Sequence, residues 1–93
     1  MVRTYAVSFI PPSKAVKDSL FHIHLIPLSP DGGVVPYNKF RNHEELVVAF
    51  KLLGLTKESQ AAIFEVLDYG EMYYIPGIRV SDEIAARFGL KFE

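Results

Sequence analysis

The residues best suited to chemistry in this chain are His22 and His24, set two apart in the run Phe21-His22-Ile23-His24-Leu25. On an extended strand such a pair projects from one face, with Cβ atoms roughly 7 Å apart. Two imidazoles at that spacing could grip a metal if a third ligand arrived from elsewhere. His43, Glu44, Asp31 and Asp18 are the groups that could supply it. Acid–base work is the other use of a histidine, because it titrates near neutrality. It needs a partner and a pocket. Ser8 could sit near a histidine, but no G-x-S-x-G elbow surrounds it. Alternation alone places any two polar strand residues on one side, so an ordinary solvated or partner-covered face is the simpler account of the pair.

Other sequence features are poorer in chemistry. Asp31-Gly32-Gly33 lacks the Lys-Ser/Thr and the following helix of a phosphate loop, and reads as a turn. Ser81 to Leu90 looks like the opening helix and turn of a helix-turn-helix, but no recognition helix pattern follows it. The ten basic and eleven acidic residues provide no basic field, so nucleic acid is not an expected partner. Tyr73 and Tyr74, with Tyr37, Phe40 and Tyr69, form an aromatic-rich set. Neighbours on a strand face opposite ways, so at least one of Tyr73 and Tyr74 is expected at the surface, where tyrosine favours protein contacts.

Behind these residues stands a pair of helices. Asn42 is a suitable N-cap, and Glu45 three residues on makes a capping-box variant. Leu46, Phe50 and Leu53 share one stripe, widened by Val47 and Val48. Gly54 is placed to end this helix in the left-handed conformation. Thr56 caps a second helix with Ile63, Phe64 and Leu67 inward, closed by Gly70. Ser81 caps a third over Asp82 to Phe88, closed by Gly89.

The remaining chain offers strands. Val2 to Ile10 alternates, with Tyr5, Val7 and Phe9 on one side, until Pro11-Pro12 ends the ladder. Ser13 to Ser19 is a hairpin loop with room for one helical turn, and Leu20 to Leu28 is the second strand. Ser29 to Gly33 is a turn, and Val34-Val35 starts a short third strand cut off by Pro36. Glu71 to Ile75 is a fourth strand, which Ile75-Pro76-Gly77-Ile78 ends in a type II turn.

The expected fold is therefore α+β: a small antiparallel sheet in the order β-β-β-α-α-β-α, with a helical hairpin and a short last helix mainly on one face. A chain of 93 residues is expected to form a single domain over residues 1–93. It has no cysteine for disulfides or thiolate metal sites, no apolar run long enough to span a bilayer, and no signal-peptide run after Met1. A cytoplasmic setting follows as the default. No motif calls for a cofactor. The expected function is a non-catalytic interaction module that associates with itself, as a homodimer, or with a protein partner, through the outer sheet face or a strand edge. Its contact residues would be His22, His24, Ile26, Tyr73 and Tyr74. A small metal- or ligand-binding protein using His22 and His24, with hydrolytic activity, is the alternative, followed by nucleic-acid association.

Overall fold

The computed structural model describes residues 1–15, 17–28 and 36–90. The sheet has four antiparallel strands: β1 (Val2–Ile10), β2 (Phe21–Pro27), β3 (Tyr37–Phe40) and β4 (Tyr73–Ser81), in the spatial order β3-β2-β1-β4. A single 3₁₀ turn, Pro12–Lys14, begins the β1–β2 connection. Three helices follow the same chain order as expected: α1 (His43–Leu52), α2 (Lys57–Asp68) and α3 (Asp82–Arg87).

Each helix starts where a side-chain oxygen satisfies an orphan amide. Asn42 accepts from the Glu45 amide, Thr56 from that of Ser59, and Ser81 from that of Ile84. Glu45 does not complete a reciprocal capping box. Its carboxylate accepts instead from the Arg41 amide and guanidinium. Each helix stops at a glycine with positive φ: Gly54, Gly70 and Gly89. The residue after each donates its amide five positions back, Leu55 to Phe50, Glu71 to Val66 and Leu90 to Ala85. This is the Schellman closure, and it satisfies carbonyls the helix leaves unpaired.

The core lies between the sheet and the helices. Tyr5, Val7 and Phe9 of β1 and Ile23 and Leu25 of β2 are buried beneath Leu46, Ala49 and Phe50 of α1, Ile63 and Leu67 of α2, and Ala85 of α3. Phe50 meets Phe9 edge-on, with ring centroids 5.4 Å apart, and leans on Phe64 at 5.1 Å. The Tyr5 hydroxyl is buried there with no hydrogen-bond partner among the described residues, and its pKa is raised, chiefly by that burial.

Two strand assignments differ from expectation. The third strand is Tyr37–Phe40, beyond the Pro36 that was expected to cut it off. Val34 and Val35 and the turn at Ser29 to Gly33, including Asp31, lie outside the described residues. Ile75-Pro76-Gly77-Ile78 is not a chain-reversing turn. β4 runs straight through it, pairing Tyr5 with Ile78 and Val7 with Ile75, so that Pro76 and Gly77 stand together opposite Ala6. Two residues against one is a β-bulge. Proline has no ladder donor to lose at an edge bulge, and pairing on both sides of it keeps the strand in the sheet. Glu71 and Met72 precede that strand, and Tyr73 to Ile75 belong to the main sheet.

Candidate functional site on the outer sheet face

Because alternation sends Tyr5, Val7, Phe9, Ile23 and Leu25 to the helices, the intervening residues face outward. The cross-strand register sorts them into rungs. One rung joins Tyr74, Ser8, His24 and Tyr37 across all four strands. The next, toward the Ile10 end, joins Ile10, His22 and Lys39. On the other side Ala6 stands opposite Ile26, and Thr4 opposite Arg79.

The central rung is aromatic at both ends. Tyr74 is 58% exposed and Tyr37 53% exposed. Tyr37 stacks on His24, with centroids 4.1 Å apart and planes 20° apart. The burial that this stacking brings lowers the pKa of His24, which holds the ring neutral at neutral pH. Between the tyrosines lie Ser8 and the stacked His24, and Ala6 on the neighbouring rung is only 1% exposed although it faces outward. The outer face thus has a shallow floor between two aromatic rims. Ser8 lies directly opposite His24 but makes no hydrogen bond to it among the described residues, so no nucleophile–base pair is assembled there.

His22 is held differently. Its Nε2 lies 2.9 Å from Asp18 Oδ1, which also accepts from the Leu20 amide at 3.2 Å. Asp18 Oδ2 lies 3.1 Å from Lys39 Nζ. Between Asp18 and Leu20 the chain passes through Ser19 at φ 56, a conformation that non-glycine residues rarely adopt. The hydrogen bond from His22, followed by those from Lys39 and Leu20, pulls the Asp18 carboxyl down to about 2. An ionised carboxylate only accepts, so Nε2 of His22 carries the hydrogen in this pair.

A pH dependence follows from that arrangement. The folded pKa of Asp18 lies below its ordinary value of 3.8. The stabilisation is therefore complete above the unfolded pKa and disappears as pH falls through the folded value, about 2. We expect Asp18→Asn to be less stable than the parent chain at neutral pH, and the gap to close on acidification through that window. Urea unfolding of both chains at a series of acidic pH values measures it. A gap that stays constant down to the lowest pH would show that the Asp18 charge does not stabilise the fold.

The residues singled out by sequence separate into three groups. His22, His24, Ile26 and Tyr74 share the outer face, as alternation required. Tyr73 points the other way and packs on Phe9, with centroids 6.2 Å apart. His43 is on the helix side of the sheet. Its ring contacts Phe21 and Phe64, and its Nε2 lies 2.8 Å from Asp68. It therefore does not join His22 and His24, and no cluster of three metal-ligating side chains occurs among the described residues.

Asp18, named from the sequence as a group that could join the histidines, does reach His22, and Tyr37 of the aromatic set stacks on His24, whereas Lys39 was not legible as a site feature. The even overall charge also hides a segregation by face. Around the outer face and its rim stand Lys14, Lys17, Lys39 and Arg79, with Asp18 as counter-charge. The three helices carry seven carboxylates against three cations. Sorting charges by strand and helix, rather than summing them, is the signal that could have revealed it. No helix among the described residues is long and apolar enough to cross a membrane. No family model matches the chain, and neither does any curated protein or solved structure.

Proposed function

We propose that this chain is a non-catalytic interaction module whose working surface is the outer face of the sheet, and that the face takes a second copy of the chain. The aromatic rung Tyr74–Ser8–His24–Tyr37, more than half exposed at both ends, carries the reading. Tyrosine provides wide rigid contact area with a polar tip, and such residues dominate interface energies. The face is four strands wide and up to nine residues long. At ordinary strand spacing and rise that is roughly 20 by 30 Å, on the order of 600 Å² before side-chain relief is counted. Standard interfaces bury about 800 Å² per partner, so the area is of the required size.

The strand edges support a face contact over an edge contact. β4 is bulged at Pro76-Gly77, and β3 is four residues long with an exposed lysine. Bulges, proline, short edge strands and lysine all discourage edge pairing. A two-fold axis along the aromatic rung would lay Tyr74 against its symmetry mate and send the two lysine-bearing ends to opposite sides of the interface. That symmetry avoids stacking like charge on like charge.

Sedimentation velocity over a wide concentration range tests the proposal. A reversible dimer is expected, weakened at least tenfold by Tyr74→Glu, which sets two carboxylates against each other on its two-fold axis. Tyr73→Phe, altering only the helix side, should leave it unchanged. A wild-type chain that sediments as a monomer at the highest attainable concentration would overturn the assignment.

A further inference from the structure

At the Ile10 end of the outer face the sheet and residues Lys14, Ala15, Lys17 and Asp18 line an open cleft of about 460 Å³. This lies within the range of small-molecule sites. Its charged lining is Lys14, Lys17 and Lys39 against the single carboxylate of Asp18. That carboxylate is fully occupied: one oxygen holds His22 and the Leu20 amide, the other Lys39. Lys14 and Lys17 make no ion pair with any described residue. Among the described residues the cleft therefore holds positive charge in excess of its one carboxylate. Its other walls are apolar or flat, with Ile10 on β1 and the Tyr37 ring on β3.

We infer that this cleft binds a small phosphorylated ligand carrying a planar ring, of the mononucleotide class, with the phosphate held by Lys14, Lys17 and Lys39 and the ring lying against Tyr37 and Ile10. Lysine ammonium groups suit phosphate as point charges, and an aromatic wall suits any flat base. A metal ion would meet the opposite environment, three ammonium groups around one engaged carboxylate. The site shares Tyr37 with the self-association surface, whereas Tyr74 lies at the other end of the central rung, on β4, away from the cleft.

Titration calorimetry with adenosine monophosphate and with inorganic phosphate, at low and physiological salt, tests the inference. Saturable binding of the nucleotide is expected, tighter than that of phosphate and weakening as salt rises. Changing Lys14 and Lys17 together to Ala should weaken it at least tenfold. Both side chains are exposed, so the fold is retained, and circular dichroism checks that it is. Asp18→Asn should tighten binding, because it removes negative charge beside the phosphate while its amide oxygen can still accept from the Leu20 amide. Tyr74→Ala should leave nucleotide affinity unchanged even where it abolishes the dimer, so failure of either proposal is visible alone. A 5′-phosphorylated oligonucleotide binding more tightly than the mononucleotide would identify a strand end as the natural source of the phosphate. No saturable binding of either small probe, or binding indifferent to the lysine pair, overturns the site. Equal affinity for phosphate and nucleotide overturns the role of Tyr37 and Ile10.

Discussion

Phe50→Ala is expected to lower the unfolding free energy by about 3–5 kcal/mol, the usual range for deleting a large buried aromatic. Phe50 is fully buried and joins three elements: it meets Phe9 of β1 edge-on and Phe64 of α2 at a tilt, from its own place on α1. Each aromatic contact adds about 0.5–1.5 kcal/mol beyond the area buried. The ring sits where neither the sheet nor a helix can collapse to fill the space, because both are pinned by their own hydrogen bonds. A domain of this size has about 5–15 kcal/mol of stability in all, so the variant should be partly unfolded near body temperature. The melting temperature should fall by well over 10 °C, at about 4–8 °C for each kcal/mol. Urea unfolding with an unchanged m-value would confirm that only stability has moved. A loss below about 1.5 kcal/mol would mean that the core is not centred on this ring, against the cost expected for such a cavity.

The next largest effect is expected at Gly89. Its φ is +81, and a Cβ built there would lie 3.1 Å from Cγ of Pro36. Gly89→Ala therefore combines a left-handed backbone penalty of about 1–2 kcal/mol with pressure on a proline ring that has little freedom to yield. Gly54 supplies the control. It too has positive φ, +72, but nothing stands within 4 Å of its would-be Cβ. Gly54→Ala should cost the backbone term alone, and the difference between the two variants measures the contact with Pro36. The contact matters because β3 begins one residue after Pro36 and carries Tyr37 and Lys39. The Asn38 side chain already ties that strand to the end of α3 by donating to the Phe88 carbonyl at 2.8 Å. Gly89→Ala should thus weaken nucleotide binding in the cleft, whereas Gly54→Ala should not. Equal stability losses in the two variants would show that Pro36 simply moves aside.

Both substitutions act through the connection between layers, and that is where sequence and structure contribute differently. Helix limits were legible because their causes are local. Asn42, Thr56 and Ser81 reach amides three residues away, and Gly54, Gly70 and Gly89 each close a helix within a few residues of themselves. The side of the sheet on which His22 and His24 stand was legible for the same reason. Alternation of Phe21, Ile23 and Leu25 with those histidines is a period-two pattern, and one buried side determines it.

Position in the sheet was not local. Pro76-Gly77 carries every local mark of a turn, yet the ladder to β1 on both sides of it holds β4 straight and leaves a bulge. Tyr37–Phe40 has weak strand character by itself and becomes β3 because β2 offers an open edge in register with it. The cleft depends on such placement most of all. Asp18, His22 and Lys39 come from a loop, a central strand and an edge strand, and they meet only after pairing brings Lys39 beside His22. Local hydrogen bonds and side-chain period were thus written in the sequence, whereas the meeting of these charges came from long-range strand pairing, which depends on which segments win the shared edges of one sheet.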